Sequence, residues 1–173
     1  VSINLSIPTF EARDRSIPLP TLYHVSPYTF NRPEYTRCVE KAKSDNKHPN
    51  GVLGLWASPF PNLFDESDIF GPYVYELELT ADSKQVLLRY EDLRGWDMSL
   101  YDVEDCHYEV YEAFRTRLLA EGIDVMFVLD GHHNVGEVII VNLDAIATFE
   151  RVTEYAGTDA PLTKQWGARK RVW

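Results

Sequence analysis

Only two cysteines, Cys38 and Cys106, occur in 173 residues, too few for the disulfide framework that staples small secreted domains. That scarcity points to a reducing compartment, and the cytoplasm is the expected location. No apolar run approaches the roughly 18 residues of a membrane-spanning helix, so a soluble chain with no membrane partner is expected. Residues 1–10 lack a basic start and are broken by Asn4, Ser6 and Pro8, a pattern unlike a secretory leader. Basic residues are also scarce: 17 Lys and Arg stand against 27 Asp and Glu, a formal charge of −10. This balance disfavours a broad electrostatic grip on nucleic acid or an anionic surface. The chain has no Gly-x-Gly-x-x-Gly, Walker loop or His-Glu-x-x-His, and no internal repeat or low-complexity tract, which removes the nucleotide-loop and zinc-protease explanations.

Hydrophobic residues make up 45%, aromatic residues 13% and charged residues 25%, the composition of a folded globular chain. Its length suits a single domain over residues 1–173. Pro8, Pro18 and Pro20 favour an extended N-terminal arm over residues 1–20, and Lys164, Arg169, Lys170 and Arg171 make residues 154–173 a basic tail. Between them, Leu22-Tyr23-His24-Val25 reads as a strand that turns at Ser26-Pro27. Tyr35, Val39 and Ala42 have helical spacing within residues 33–42, and a polar loop follows over residues 44–51. Val52 to Ser58 reads as a strand, Asn62 to Phe70 as a short helix with Asn62 as its N-cap, and Tyr73 to Leu79 alternates like a half-buried strand.

From Glu91 to Glu112, eight acids stand against Arg94 alone, the pattern of a solvated face. Within and beyond it, Val110, Tyr111, Phe114 and Leu118 share a helix face that Gly122 terminates. Ile123–Leu129 and Glu137–Val141 form a hairpin across an adjustable loop. A helical turn at Leu143–Ile146 and a last strand over residues 147–153 complete the pattern. Short strands without regular βαβ alternation favour an α+β fold.

Three separated pieces put polar or aromatic groups into apolar strands: Tyr23-His24-Val25-Ser26, Gly54-Leu55-Trp56-Ala57-Ser58, and the run from Gly136 through Glu137 to Asn142. Together, over Leu22 to Ile146, they resemble the diphtheria-toxin-like, His-Tyr-Glu group of mono-ADP-ribosyltransferases. The run Leu22 to Ser26 is similar to that group's His strand, and Gly54 to Ser58 to its Gly-aromatic-Tyr-x-Ser/Thr strand. Phe70-Gly71 is similar to its second aromatic, and Glu137 to the catalytic Glu that opens a late strand.

The resemblance implies an ADP-ribosyltransferase-like split β-sandwich of two small sheets with flanking helices, with NAD bound in the cleft between them as co-substrate and no metal. Glu137 would stabilise the ribose cation that develops as the nicotinamide bond breaks. His24 would hold the adenosine-side ribose and the Val25 backbone the nicotinamide amide, with Ser26 closing the motif. Trp56 and Phe70 would stack on the cationic ring, and Ser58 would orient Glu137. His132, His133 and Asn134 precede Glu137 in the loop and are candidates to contact an acceptor.

The sequence departs from the group's pattern twice. Trp56 stands where the signature has Tyr, which keeps the ring and loses the phenol. Val135 stands where the arginine-modifying branch has Glu or Gln, which argues against an arginine acceptor. Cys106-His107 and His132-His133 offer zinc-ligand types without zinc-site spacing. The expected activity is transfer of ADP-ribose to a macromolecule, protein in preference to nucleic acid, as in a toxin-like effector acting in its own or a host cytoplasm. A non-catalytic binding module on the same fold and an NAD glycohydrolase are the alternatives.

Overall fold

The computed structural model describes residues 8–26, 28–45, 49–59, 73–101, 107–130 and 135–152. Among these, eight strands and three α-helices form a mixed α+β architecture with two small sheets. The strands are β1 (Glu11–Ala12), β2 (Leu22–Ser26), β3 (Leu55–Ala57), β4 (Tyr73–Leu79), β5 (Gln85–Arg89), β6 (Val125–Leu129), β7 (Val135–Ile140) and β8 (Ile146–Val152). The helices are α1 (Tyr35–Asp45), α2 (Tyr90–Tyr101) and α3 (His107–Ala120). The larger sheet runs β1-β5-β6-β7-β3 and the smaller β2-β4-β8. All pairs are antiparallel except β5 and β6, which are joined through α2 and α3.

Strand alternation divides most of the apolar residues between two large cores, with Tyr23, Val25 and Val74 forming a third, small cluster. On the five-stranded sheet Leu55, Ala57, Val138, Ile140 and Phe127 face the smaller sheet and pack with Leu22, Leu77 and Leu79. The intervening Met126, Val128 and Ile139 face the opposite way and pack under Trp96 of α2 and Phe114 and Leu118 of α3. Helix α3 stops where expected. Gly122 takes φ +73°, its N–H donates to the Leu119 carbonyl at 2.9 Å, and the Ile123 N–H donates to Leu118 at 3.0 Å. These paired bonds satisfy the last carbonyls of the helix, and Ile123 then joins Leu118 in the core.

Besides packing face to face, the two sheets are joined by one backbone bridge among the described residues. Tyr23 of β2 and Ser58, just past β3, exchange backbone hydrogen bonds of 2.7 and 2.8 Å, an isolated antiparallel bridge. Beyond it β2 and β3 form no further ladder pairs among the described residues, which leaves a split between these two strands.

Several elements differ from the sequence reading. The segment expected as a polar loop and the start of a strand instead forms a 3-10 turn at Pro49–Leu53, because Val52 and Leu53 are buried with the helical core. That shortens β3 to three residues. Strand β5 and helix α2 carry little periodic signal. Val86-Leu87-Leu88 is a short run between polar flanks, and among the α2 residues whose burial is described only Leu93 and Trp96 are buried. The expected helix over residues 62–70, the turn at Pro27 and the basic tail lie outside the described residues.

Among the described residues no helix is long and apolar enough to cross a membrane, and no group of His, Cys, Asp and Glu is arranged to hold a metal ion.

Candidate functional site

The split between β2 and β3 gathers three of the residues singled out in the sequence. His24 leaves β2 just past the Tyr23–Ser58 bridge, and its Nδ1 lies 2.7 Å from the carbonyl oxygen of Trp56. A carbonyl only accepts, so Nδ1 carries the proton and Nε2 is the bare acceptor. The imidazole also meets Phe30 edge-on, with centroids 6.0 Å apart, beside a stack of Phe30, Tyr75 and Phe149. The Tyr75 hydroxyl clamps the segment after β2. It donates to the Tyr28 carbonyl at 3.1 Å and accepts from the Phe30 N–H at 3.0 Å. Ser26 is buried, and its hydroxyl accepts from the Tyr28 N–H at 3.1 Å.

Burial pushes the His24 pKa from 6.5 down to about 4, against the hydrogen bond to Trp56 and reinforced by the charge of Lys41 on α1. The ring is therefore neutral at physiological pH, with its tautomer fixed. Because the native state rejects a proton that the unfolded chain accepts, stability falls as pH drops from about 6.5 toward about 4. Denaturant unfolding of the wild type is expected to lose ~2 kcal/mol between neutral pH and the bottom of that window. His24→Asn, which keeps a donor toward Trp56, should lose clearly less. An equal loss in the variant would clear His24 of the effect.

The backbone of Val25 completes this edge. Tyr23 turns its N–H and C=O toward Ser58, and in an antiparallel strand the residue two positions on points the same way. Val25 therefore presents its N–H and C=O to the open side of the split. Neither has a hydrogen-bond partner among the described residues.

Glu137 approaches from the other side of β3. In the β6–β7 ladder Val128 pairs with Glu137 and Leu129 with Val135, leaving Gly136 as the extra residue of a bulge. The bulge lets Val135 stay in the inter-sheet core with Val138 while Glu137 turns to the helical face, in step with Ile139. On β3, Trp56 pairs with Ile139 and Ala57 with Val138. One step further along this register, Ser58 stands opposite Glu137. Ser58 is fully buried.

Trp56 and Glu137 line one recess of about 130 Å³, closed by Tyr90, Arg94 and Asp97 of α2 and by Tyr111 of α3. The Trp56 indole is fixed by its Nε1–H, which donates to the Asn50 carbonyl at 3.2 Å. Burial raises the Glu137 carboxyl above its ordinary value of 4.5.

Trp56 thus joins two regions, its carbonyl engaging His24 and its indole sharing the recess with Glu137. His24 itself does not line that recess. Phe70, His132, His133 and Asn134 lie outside the described residues. Sequence reasoning missed Tyr90, Arg94, Asp97 and Tyr111, having read Tyr111 as helix core and the acids after Glu91 as a solvated face. Only the convergence of α2 and α3 on β7 separates Asp97 from the exposed Glu91 and Asp92. Comparison with protein-family models, with curated proteins and with solved structures finds no match for this chain.

Proposed function

We propose that this chain is an NAD-dependent mono-ADP-ribosyltransferase on a split two-sheet scaffold of the ADP-ribosyltransferase type. The observation that carries the reading is the N–H and C=O of Val25 at the split, without hydrogen-bond partners among the described residues, beside a ring-bearing strand and one strand away from a half-buried carboxylate. A carboxamide is the complement of such a backbone edge, since it offers one acceptor and one donor in the same spacing. Nicotinamide carries that group.

On this reading the Val25 backbone holds the carboxamide and the Trp56 indole flanks the cationic ring, a contact worth about 0.5–2 kcal/mol. His24 accepts a ribose hydroxyl through its bare Nε2, positioning the sugar without transferring a proton. Lys41, whose charge reaches His24, supplies positive potential for a diphosphate. Glu137 stabilises the positive charge that grows on the ribose as the bond to nicotinamide breaks. Ser58, opposite it in register, limits its orientation.

Purified protein incubated with radiolabelled NAD and cell lysate is expected to release nicotinamide and to label a macromolecule. Label lost on proteolysis and kept after nuclease treatment identifies a protein acceptor, and the reverse identifies nucleic acid. Absence of nicotinamide release with and without lysate would overturn the reading.

A further inference from the structure

We infer that Tyr111 is a positioning residue for Glu137: its hydroxyl donates to one ordered water in the recess they share, and that water donates to the Glu137 carboxylate, holding it ionised and in one orientation. The inference rests on the NAD reading for what the carboxylate does, and on the recess alone for how it is held.

Tyr111 carries an unspent donor. It is 1% exposed, and its hydroxyl is buried with no hydrogen-bond partner among the described residues. The ring is held in the helical core, where Trp96 meets it edge-on with centroids 5.2 Å apart. A buried hydroxyl without a partner is costly to folding, and a water in the adjoining recess removes that cost.

Glu137 is the matching acceptor. It lines the same recess, and burial raises its carboxyl with no neighbouring charge or hydrogen bond among the described residues to offset it. The other groups that line the recess do not meet that need. Trp56 spends its Nε1–H on the Asn50 carbonyl. Tyr90 and Arg94 of α2 are exposed, so bulk water competes for their donors. Asp97, also on α2, has an interaction of its own, and a carboxylate adds acceptors, not donors. Tyr111 of α3 remains as the buried donor.

The recess suits water in size. Pockets that enclose a drug-sized molecule measure about 300–1,000 Å³, whereas this one holds about 130 Å³. Liquid water occupies about 30 Å³ per molecule and needs two to four polar partners when buried, so a few waters fit and a dinucleotide stays in the open split. The chemistry favours a neutral donor. Desolvation pushes a carboxyl toward its uncharged form, and a hydrogen bond to the ionised form pushes it back. A cationic partner would do the same but would cancel the field that a developing ribose cation feels. A phenol relayed through water keeps the carboxylate charged and leaves that field intact.

The side-chain carbonyl shift of Glu137, followed by NMR in protein labelled with carbon-13 glutamate and assigned through Glu137→Gln, reads its protonation without any substrate. Tyr111→Phe is expected to raise the midpoint by about one pH unit, while its melting temperature holds because no protein hydrogen bond is removed. The acid limb of nicotinamide release should move up by the same amount, with KM for NAD unchanged. A crystal structure of the wild type should show a water within hydrogen-bond distance of both the Tyr111 hydroxyl and the Glu137 carboxylate, and this decides the matter even if the variant fails to fold.

Equal midpoints in wild type and Tyr111→Phe, or a wild-type crystal structure without the bridging water, would overturn the inference. A raised midpoint in a protein that releases no nicotinamide would sustain the pairing and overturn the NAD reading. Nicotinamide release with an unmoved midpoint would do the reverse.

Discussion

Glu137→Gln is expected to cut nicotinamide release from NAD about 10³-fold, the scale of losing an aligned electrostatic group at a charge-developing centre. The substitution keeps the shape of the side chain and removes its charge. The Glu137 carboxyl is half-buried with its pKa raised by desolvation, so a neutral amide should fold at least as well. Circular dichroism melts within a degree or two of wild type, measured beside chromatographic quantitation of nicotinamide, separate a chemical loss from an unfolded protein. A variant retaining a tenth of the activity would remove Glu137 from the reaction. The acid limb of the wild-type rate profile carries the same information. Only the ionised carboxylate stabilises a cation, so the rate should fall as pH drops through the folded pKa, at a pH above the ordinary 4.5.

Gly54→Ala is expected to be the most damaging alanine substitution among the described glycines. Gly54 sits at φ +152°, and a Cβ there would lie 2.0 Å from the carbonyl oxygen of Ile140. That oxygen belongs to the β7 residue that pairs with Leu55, so the backbone cannot retreat without lifting β3 from the sheet. Loss of ~3 kcal/mol or more follows from combining an unfavourable backbone conformation with a clash against rigid main chain. Guanidinium unfolding measures it. Because β3 carries Trp56 and anchors Ser58 against Tyr23, whatever protein still folds should bind NAD poorly. Gly122→Ala is an internal comparison: it shares a positive φ of +73° but meets nothing within 4 Å, so its cost is conformational and smaller. Equal stability of the two variants would show that the close approach at Gly54 is unimportant.

Much of the strand pattern was legible because each face of a strand has its own periodicity. The alternation of Tyr73 to Leu79, the apolar run Leu22 to Val25, and the hairpin of β6 and β7 all follow from side chains alternating between two environments. Helix α3 was legible from Val110, Phe114 and Leu118, and its end from Gly122. Strand β5 was not. Its parallel partner β6 lies 36 or more residues away in the sequence, and no local pattern encodes a pairing made across two intervening helices. The bulge at Gly136 was equally silent, since it exists only where β7 fails to keep step with β6.

By itself the sequence determined an acidic chain of mixed α+β type, the strands bearing His24, Trp56 and Glu137, and the residue chemistry that made an NAD reaction worth proposing. Local periodicity and side-chain type suffice for those. Tertiary structure alone decided that Val25 turns toward a split a backbone N–H and C=O without partners among the described residues, that burial pushes the His24 pKa down while its Nδ1 meets the Trp56 carbonyl, and that Asp97 and Tyr111 line one recess with Glu137. Each of these depends on which strand or helix lies alongside, and burial, register and hydrogen-bond partnership are properties of neighbours that a linear chain does not yet have.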